Sequence, residues 1–135
     1  MICYIRYIKG PFFVLGLLHE HQRPDRDDYV SLVNKGNAPW NVCPLHEQNI
    51  IKKSRDEVTG YGLGYDICSI MQYGQSMLPG NLSPLCNLTP KQKVSCYIKT
   101  PENTVPHITT LGQETGLSEL DIRILKNRYQ CKGSI

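Results

Sequence analysis

A chain of 135 residues is the size of one ordinary domain. Hydrophobic residues at 40% and charged residues at 20% give a globular rather than a disordered composition. The net charge of +3, from 15 Lys+Arg against 12 Asp+Glu, is too small and dispersed to point to nucleic acid or an anionic membrane, and no apolar run approaches the roughly 20 residues of a membrane span.

Residues 1–13, MICYIRYIKGPFF, are aromatic, β-branched and basic, and read as strand or coil ending at the Gly10-Pro11 breaker. Arg6 and Lys9 precede an apolar run over 11–18 that is about as long as a short signal-peptide core. No small-x-small cleavage site follows it, so no convincing signal peptide is read here. A dense charged run, Asp25-Arg26-Asp27-Asp28, comes next, with Tyr29, Val30, Leu32 and Val33 behind it. Such a run is ordinarily a solvated face. Residues 34–42 read as loop and 45–54 as a short helix. Gly60 to Gly64 is flexible, and a Pro/Asn/Ser-rich loop runs from Met77 to Pro90.

The strongest helix signal is near the C-terminus. Ser118 is a good N-cap, Asp121 sits three residues on as its capping-box partner, and Leu117 with Ile122 forms a hydrophobic staple. Ile122, Leu125 and Tyr129 make one apolar stripe; Leu120 and Ile124 make a second, nearly opposite. A helix apolar on two sides needs cover on both.

Six cysteines, Cys3, Cys43, Cys68, Cys86, Cys96 and Cys131, are widely spaced with no CxxC pair among them. That spacing favours disulfides in an oxidising compartment over a zinc ribbon or a thioredoxin-type motif, and 15 pairings are open. Sequons at Asn81 and Asn87 fit a secreted protein, though a proline follows each and lowers the odds of glycosylation.

Three segments carry the chemistry. The first runs Leu15-Gly16-Leu17-Leu18-His19-Glu20-His21-Gln22-Arg23-Pro24-Asp25-Arg26-Asp27-Asp28-Tyr29-Val30. The second is Tyr65-Asp66-Ile67-Cys68-Ser69-Ile70-Met71-Gln72-Tyr73-Gly74, and the third spans Gly112 to Tyr129 with Cys131 behind it. In this order they resemble the second half of the zinc-binding motif, the Met-turn and the C-terminal helix of the astacin family of zinc metalloendopeptidases, in the metzincin clan. The full motif, H-E-x-x-H-x-x-G-x-x-H, puts two histidines on one helical face, a general-base glutamate between them, and a third histidine after a glycine turn.

The resemblance implies an α+β fold: a loop-rich, zincin-like C-terminal subdomain with a Met-turn and one C-terminal helix, the upstream sheet half being missing. It implies 1–13 as a non-family segment, 14–131 as a partial peptidase domain and 132–135 as a tail. It makes Gly16 the turn glycine, His19 the third zinc ligand, and Tyr73 a further, switchable ligand and transition-state stabiliser. Met71 becomes the apolar base beneath the metal, Glu20 the residue that meets the mature amino terminus, and Cys131 the partner of an upstream cysteine, with Cys3 as a candidate. The expected substrate is protein or peptide, the cofactor zinc and the location extracellular.

The chain departs from the pattern upstream of His19. The first histidine slot holds Lys9, the glutamate slot Gly10 and the second histidine slot Phe13. Gly10 and Pro11 inside a ligand-bearing helix cost about 1 and about 3 kcal/mol relative to alanine. One ligand of a four-ligand zinc site carries about 3–4 kcal/mol, which is around millimolar affinity. The expectation is a polypeptide that is truncated and inactive alone. The alternative is a secreted, non-catalytic protein-binding module derived from a peptidase. The His19/His21 pair and Cys43-Pro-Leu-His46 allow a different metal site on spacing alone; the plainer reading has His21 facing solvent, Cys43 in a disulfide and His46 on an exposed helical turn. Ser69 has no histidine and acid placed to activate it as a nucleophile.

Overall fold

The structure, a computed structural model, describes residues 15–34, 51–58, 62–75, 86–100 and 102–130. Lys9, Gly10, Phe13, Cys3, Cys43, His46, Asn81 and Cys131 lie outside them, as do 1–13 and 132–135. Two 3-10 turns, Glu20–Gln22 and Arg26–Asp28, lead into strand β1, Val30–Asn34. Strands β2 (Cys86–Pro90), β3 (Cys96–Tyr97) and β4 (His107–Ile108) follow, and helix α1 (Glu119–Tyr129) comes last. Among the described residues the fold is α+β, with two small sheets and one α-helix.

β1 and β2 pair antiparallel, in register from Val30↔Pro90 to Asn34↔Cys86. Period-2 alternation puts Val30, Leu32 and Leu88 on one face. Val30 and Leu88 are buried with Tyr65, Val94, Cys96, Ile98 and Leu111, and Leu32 packs against them. Cys86–Pro90, read from its composition as the end of a loop, is therefore a strand. Its proline sits at the last strand position, where a missing N–H is tolerated. Residues 51–54, read as the end of a short helix, are not helical. Instead the Lys53 amide donates to the Gln22 carbonyl at 2.7 Å, tying this segment to the first 3-10 turn.

In the second sheet Cys96 pairs with Ile108 and Tyr97 with His107, so Cys96 points inward and Tyr97 outward. Cys96 is bonded to Cys68, which settles one of the pairings that the sequence leaves open. A second apolar cluster joins Leu17, Ile70 and Met71 to Leu117, Ile124 and Leu125 of the helix region. The segment 65–72 thus spans both clusters, with Tyr65 in one and Ile70 and Met71 in the other.

α1 begins as its sequence predicts. Ser118 Oγ accepts from the Asp121 amide at 2.9 Å, and an Asp121 carboxylate oxygen accepts from the Ser118 amide at 3.0 Å. The apolar face that meets the core takes Ile124 from one predicted stripe and Leu125 from the other. Tyr129 stays half exposed and uses its hydroxyl instead, donating to the Leu15 carbonyl at 2.9 Å.

Two glycines are set by geometry. Gly112 has φ +78°, and a Cβ there would stand 2.3 Å from the Gly74 Cα, backbone against backbone. Gly16 has φ +85°, and the Arg128 guanidinium lies where its Cβ would be. Left-handed backbone costs other residues roughly 1–2 kcal/mol, so both positions favour glycine before any clash is counted.

Candidate functional site

His19 closes the chain into the first 3-10 turn. Its backbone is extended, and its carbonyl accepts from the Gln22 amide at 3.0 Å. Its Nδ1 lies 3.3 Å from the Met71 carbonyl. A carbonyl can only accept, so that contact calls for a proton on Nδ1, which in a neutral imidazole leaves the lone pair on Nε2. This is the arrangement in which a histidine presents Nε2 to a metal and is oriented through its other nitrogen. The same Met71 carbonyl accepts from the Glu20 amide at 3.3 Å.

Met71 is buried and sits at the end of two consecutive turns. The Ser69 amide donates to the Asp66 carbonyl and the Gln72 amide to the Ser69 carbonyl, each at 3.1 Å. Tyr73 follows, and its ring meets His19 edge-on with centroids 4.5 Å apart and planes at 70°. The structure thus brings His19 together with Met71 and Tyr73, which lie far along the chain from it.

Two neighbours of this group have a place beside it that the sequence does not reveal. His21, expected to face solvent, is 0% exposed. Glu20, His21 and Gln22 are all buried because this short turn is packed in rather than laid on the surface. The His21 ring lies 4.2 Å from that of Tyr73 at 37°, and 5.4 Å from that of His19. Gln72, also buried, accepts from the Tyr65 hydroxyl at 2.5 Å and donates from Nε2 to the Tyr73 carbonyl at 3.0 Å. No motif in the sequence marks that bridge.

Below the turn lies a group of buried carboxylates. Glu20 accepts from the Asp66 amide at 2.7 Å and stands 3.4 Å from Arg23 Nε. Burial pushes its carboxyl up to about 8, against the opposing pull of the amide and Arg23. Asp66 is also shifted up by burial, although the Ser118 hydroxyl donates to it. Asp121 accepts from Ser69 Oγ at 2.6 Å and from the Ile70 amide at 2.9 Å. The helix-capping carboxylate therefore also anchors the turn that carries Met71, a second task that the capping pattern does not reveal.

The charged run divides. Asp27 and Asp28 are exposed, as a solvated face requires, whereas Arg26 is buried and donates from Nη1 to the His21 carbonyl at 3.1 Å. Arg23 grips Asp25 through two bonds of 2.9 and 2.8 Å and holds its carboxyl below the usual range. Lys52, bonded at 2.6 Å, does the same for Asp27.

Among the described residues no three His, Cys, Asp or Glu side chains are grouped to hold a metal ion. His19, with Nδ1 on a carbonyl, and the Tyr73 ring beside it have the chemistry of metal donors. Two such side chains are fewer than the three or four protein ligands of a zinc site.

Comparison with known proteins gives one consistent answer. Residues 11–130 match the model of the peptidase family Astacin. Over 118 residues the chain is 34% identical to bone morphogenetic protein 1 of Xenopus laevis, covering 87% of this chain and 14% of that protein. Over 117 residues it is 33% identical to the astacin-like metalloendopeptidase of Gallus gallus, covering 87% and 24%. Among solved structures it is similar to high choriolytic enzyme 1, a hatching enzyme zinc-protease from Oryzias latipes. That match has a TM-score of 0.55 and 28% identity, and covers 86% of this chain and 47% of the other. The chain thus spans a minor part of the curated relatives' length.

Proposed function

The chain belongs to the astacin family, and from that premise we propose that it supplies one side of the active site of a zinc endopeptidase that cleaves proteins or peptides outside the reducing cytosol. In this reading residues 14–131 are the C-terminal, zincin-like part of the peptidase domain, and the turn through Met71 is its Met-turn. The observation that carries it is that His19 meets both the Met71 carbonyl and the ring of Tyr73.

Each residue then has a task. His19, oriented through Nδ1, offers Nε2 as the third zinc ligand. Zinc, when bound, supplies Lewis acidity toward a scissile carbonyl and a water. Tyr73, its ring packed against that of His19, carries the hydroxyl that would donate to the oxyanion of a tetrahedral intermediate. Met71 gives the apolar floor, and Gly16 lets the chain turn into His19. Glu20, in its buried acidic pocket, receives a mature amino terminus. Cys131 and the Cys68–Cys96 bond suit secretion. Lys9, Gly10 and Phe13 cannot provide two imidazoles and a general base, so these 135 residues alone are inactive.

A chimera tests this: the upstream half of a peptidase domain of this family, ending in H-E-x-x-H, joined in register before Val14. The expected product cleaves casein in a chelator-sensitive way, loses activity in His19→Ala, and loses about 10²–10³-fold in kcat in Tyr73→Phe, as for one removed oxyanion donor. A folded chimera whose activity ignores both substitutions would overturn the assignment.

A further inference from the structure

The buried imidazole of His21 has no part in the functional reading so far, yet it lies against the side chain on which that reading depends. Burying a polar ring is costly, so one kept without solvent exposure beside a candidate site calls for a reason. Tyr73 makes ring contacts with two histidines. The contact with His19 is edge-on at 4.5 Å; that with His21 is closer, 4.2 Å, and more nearly face-on, 37°.

The surroundings fix His21 more firmly than a surface turn would. It is the middle residue of a 3-10 turn whose three residues are all buried, and its carbonyl is held by Arg26 Nη1. Arg26 is itself buried and lies 3.0 Å from Asp27. On the other side Gln72 holds the Tyr73 carbonyl, which fixes the tyrosine backbone and leaves its side chain to choose among staggered rotamers. A wall on one face of the phenol selects among them. We propose that His21 is a positioning residue, whose ring holds the Tyr73 phenol in the orientation that keeps it against His19.

The role is one of shape. Aromatic pairs with centroids about 4.5–7 Å apart attract through their quadrupoles, and the His21–Tyr73 pair, at 4.2 Å, is packed slightly closer than that range. A flat ring of similar size at position 21 preserves the wall, whereas a flexible amide does not. The inference rests on Tyr73 being the oxyanion-stabilising group, but the geometry it asserts can be read without metal or substrate.

The test is NMR on the full 135-residue chain with labelled aromatic rings, Tyr73 being assigned with Tyr73→Phe and the Ile70 and Leu88 methyl shifts serving as a fold control. In the wild type, ring protons of His21 and Tyr73 give direct cross-relaxation, and the Tyr73 ring shifts are displaced from those of free tyrosine. His21→Phe keeps that displacement; His21→Gln, with the fold control intact, loses it. Absence of His21–Tyr73 cross-relaxation in the wild type overturns the proposal with no variant needed. So does a folded His21→Gln whose Tyr73 shifts do not move, or a folded His21→Phe whose Tyr73 shifts collapse to free values. In the active chimera, His21→Phe keeps kcat and His21→Gln lowers it with KM unchanged. If the ring geometry is as stated while the chimera is inactive in every form, the peptidase reading fails and the placement of Tyr73 by His21 stands.

Discussion

At the scale of single residues, Glu20 shows how burial and function meet. Its carboxyl is raised to about 8 by burial, whereas the same group in an unfolded chain titrates near 4.5. Between those values the folded chain keeps a proton that the unfolded chain has released. Stability from this group is therefore fully present below pH 4.5 and is lost as pH rises toward 8. Asp66, raised by burial, acts in the same direction. Asp25 and Asp27, lowered by Arg23 and Lys52, act in the opposite direction, and their contribution disappears on acidification below their ordinary range near 3.8. The thermal midpoint should accordingly fall between about pH 5 and pH 8. Glu20→Gln, which keeps an acceptor for the Asp66 amide, should flatten that fall and gain on the order of a few kcal/mol at pH 8. A midpoint profile as steep in the variant as in the wild type would contradict the account. Individual residues were unevenly legible in the sequence. His19 and Tyr73 could be singled out by motif, but the burial of His21 could not, because H-x-H reads equally well as a surface pair. The Tyr65–Gln72–Tyr73 bridge depends on a tertiary approach that no local pattern encodes.

At the scale of elements, the start of α1 was legible because capping is local: Ser118 and Asp121 are three residues apart and satisfy each other's amides. β2 was not legible, since it ends a Pro/Asn/Ser-rich stretch whose Asn and Pro argue for a loop, and only pairing with β1 and burial of Leu88 override them. The disulfide likewise needed three dimensions. Cys68 lies in the segment that leads to Met71, and Cys96 lies in β3, so the bond ties that segment to the second sheet. The segment has further anchors, with Asp121 on Ser69 and Ile70 and Gln113 Nε2 on the Cys68 carbonyl at 2.9 Å. Closing a loop of 28 residues' separation is worth about 3–4 kcal/mol in the chain-entropy account. Replacing both cysteines by serine should lower thermal stability by an amount of that order, measured by calorimetry. An unchanged midpoint would show that the other anchors carry the turn without it.

At the scale of the whole molecule, the chain is a member of the astacin family, and in the reading proposed above it holds one corner of the family's site. Three motifs in order made the family readable from sequence, and the match over 11–130 agrees. What the chain brings is geometry: an imidazole against a backbone carbonyl, a phenol ring beside it, and a group of buried carboxylates nearby. The central claim is that these residues meet zinc with a single imidazole. Equilibrium dialysis of zinc against the 135-residue polypeptide tests it most directly. The account predicts a dissociation constant around millimolar, weakened further in His19→Ala. Submicromolar zinc binding that depends on His19 and on two other side chains of this same polypeptide would contradict it.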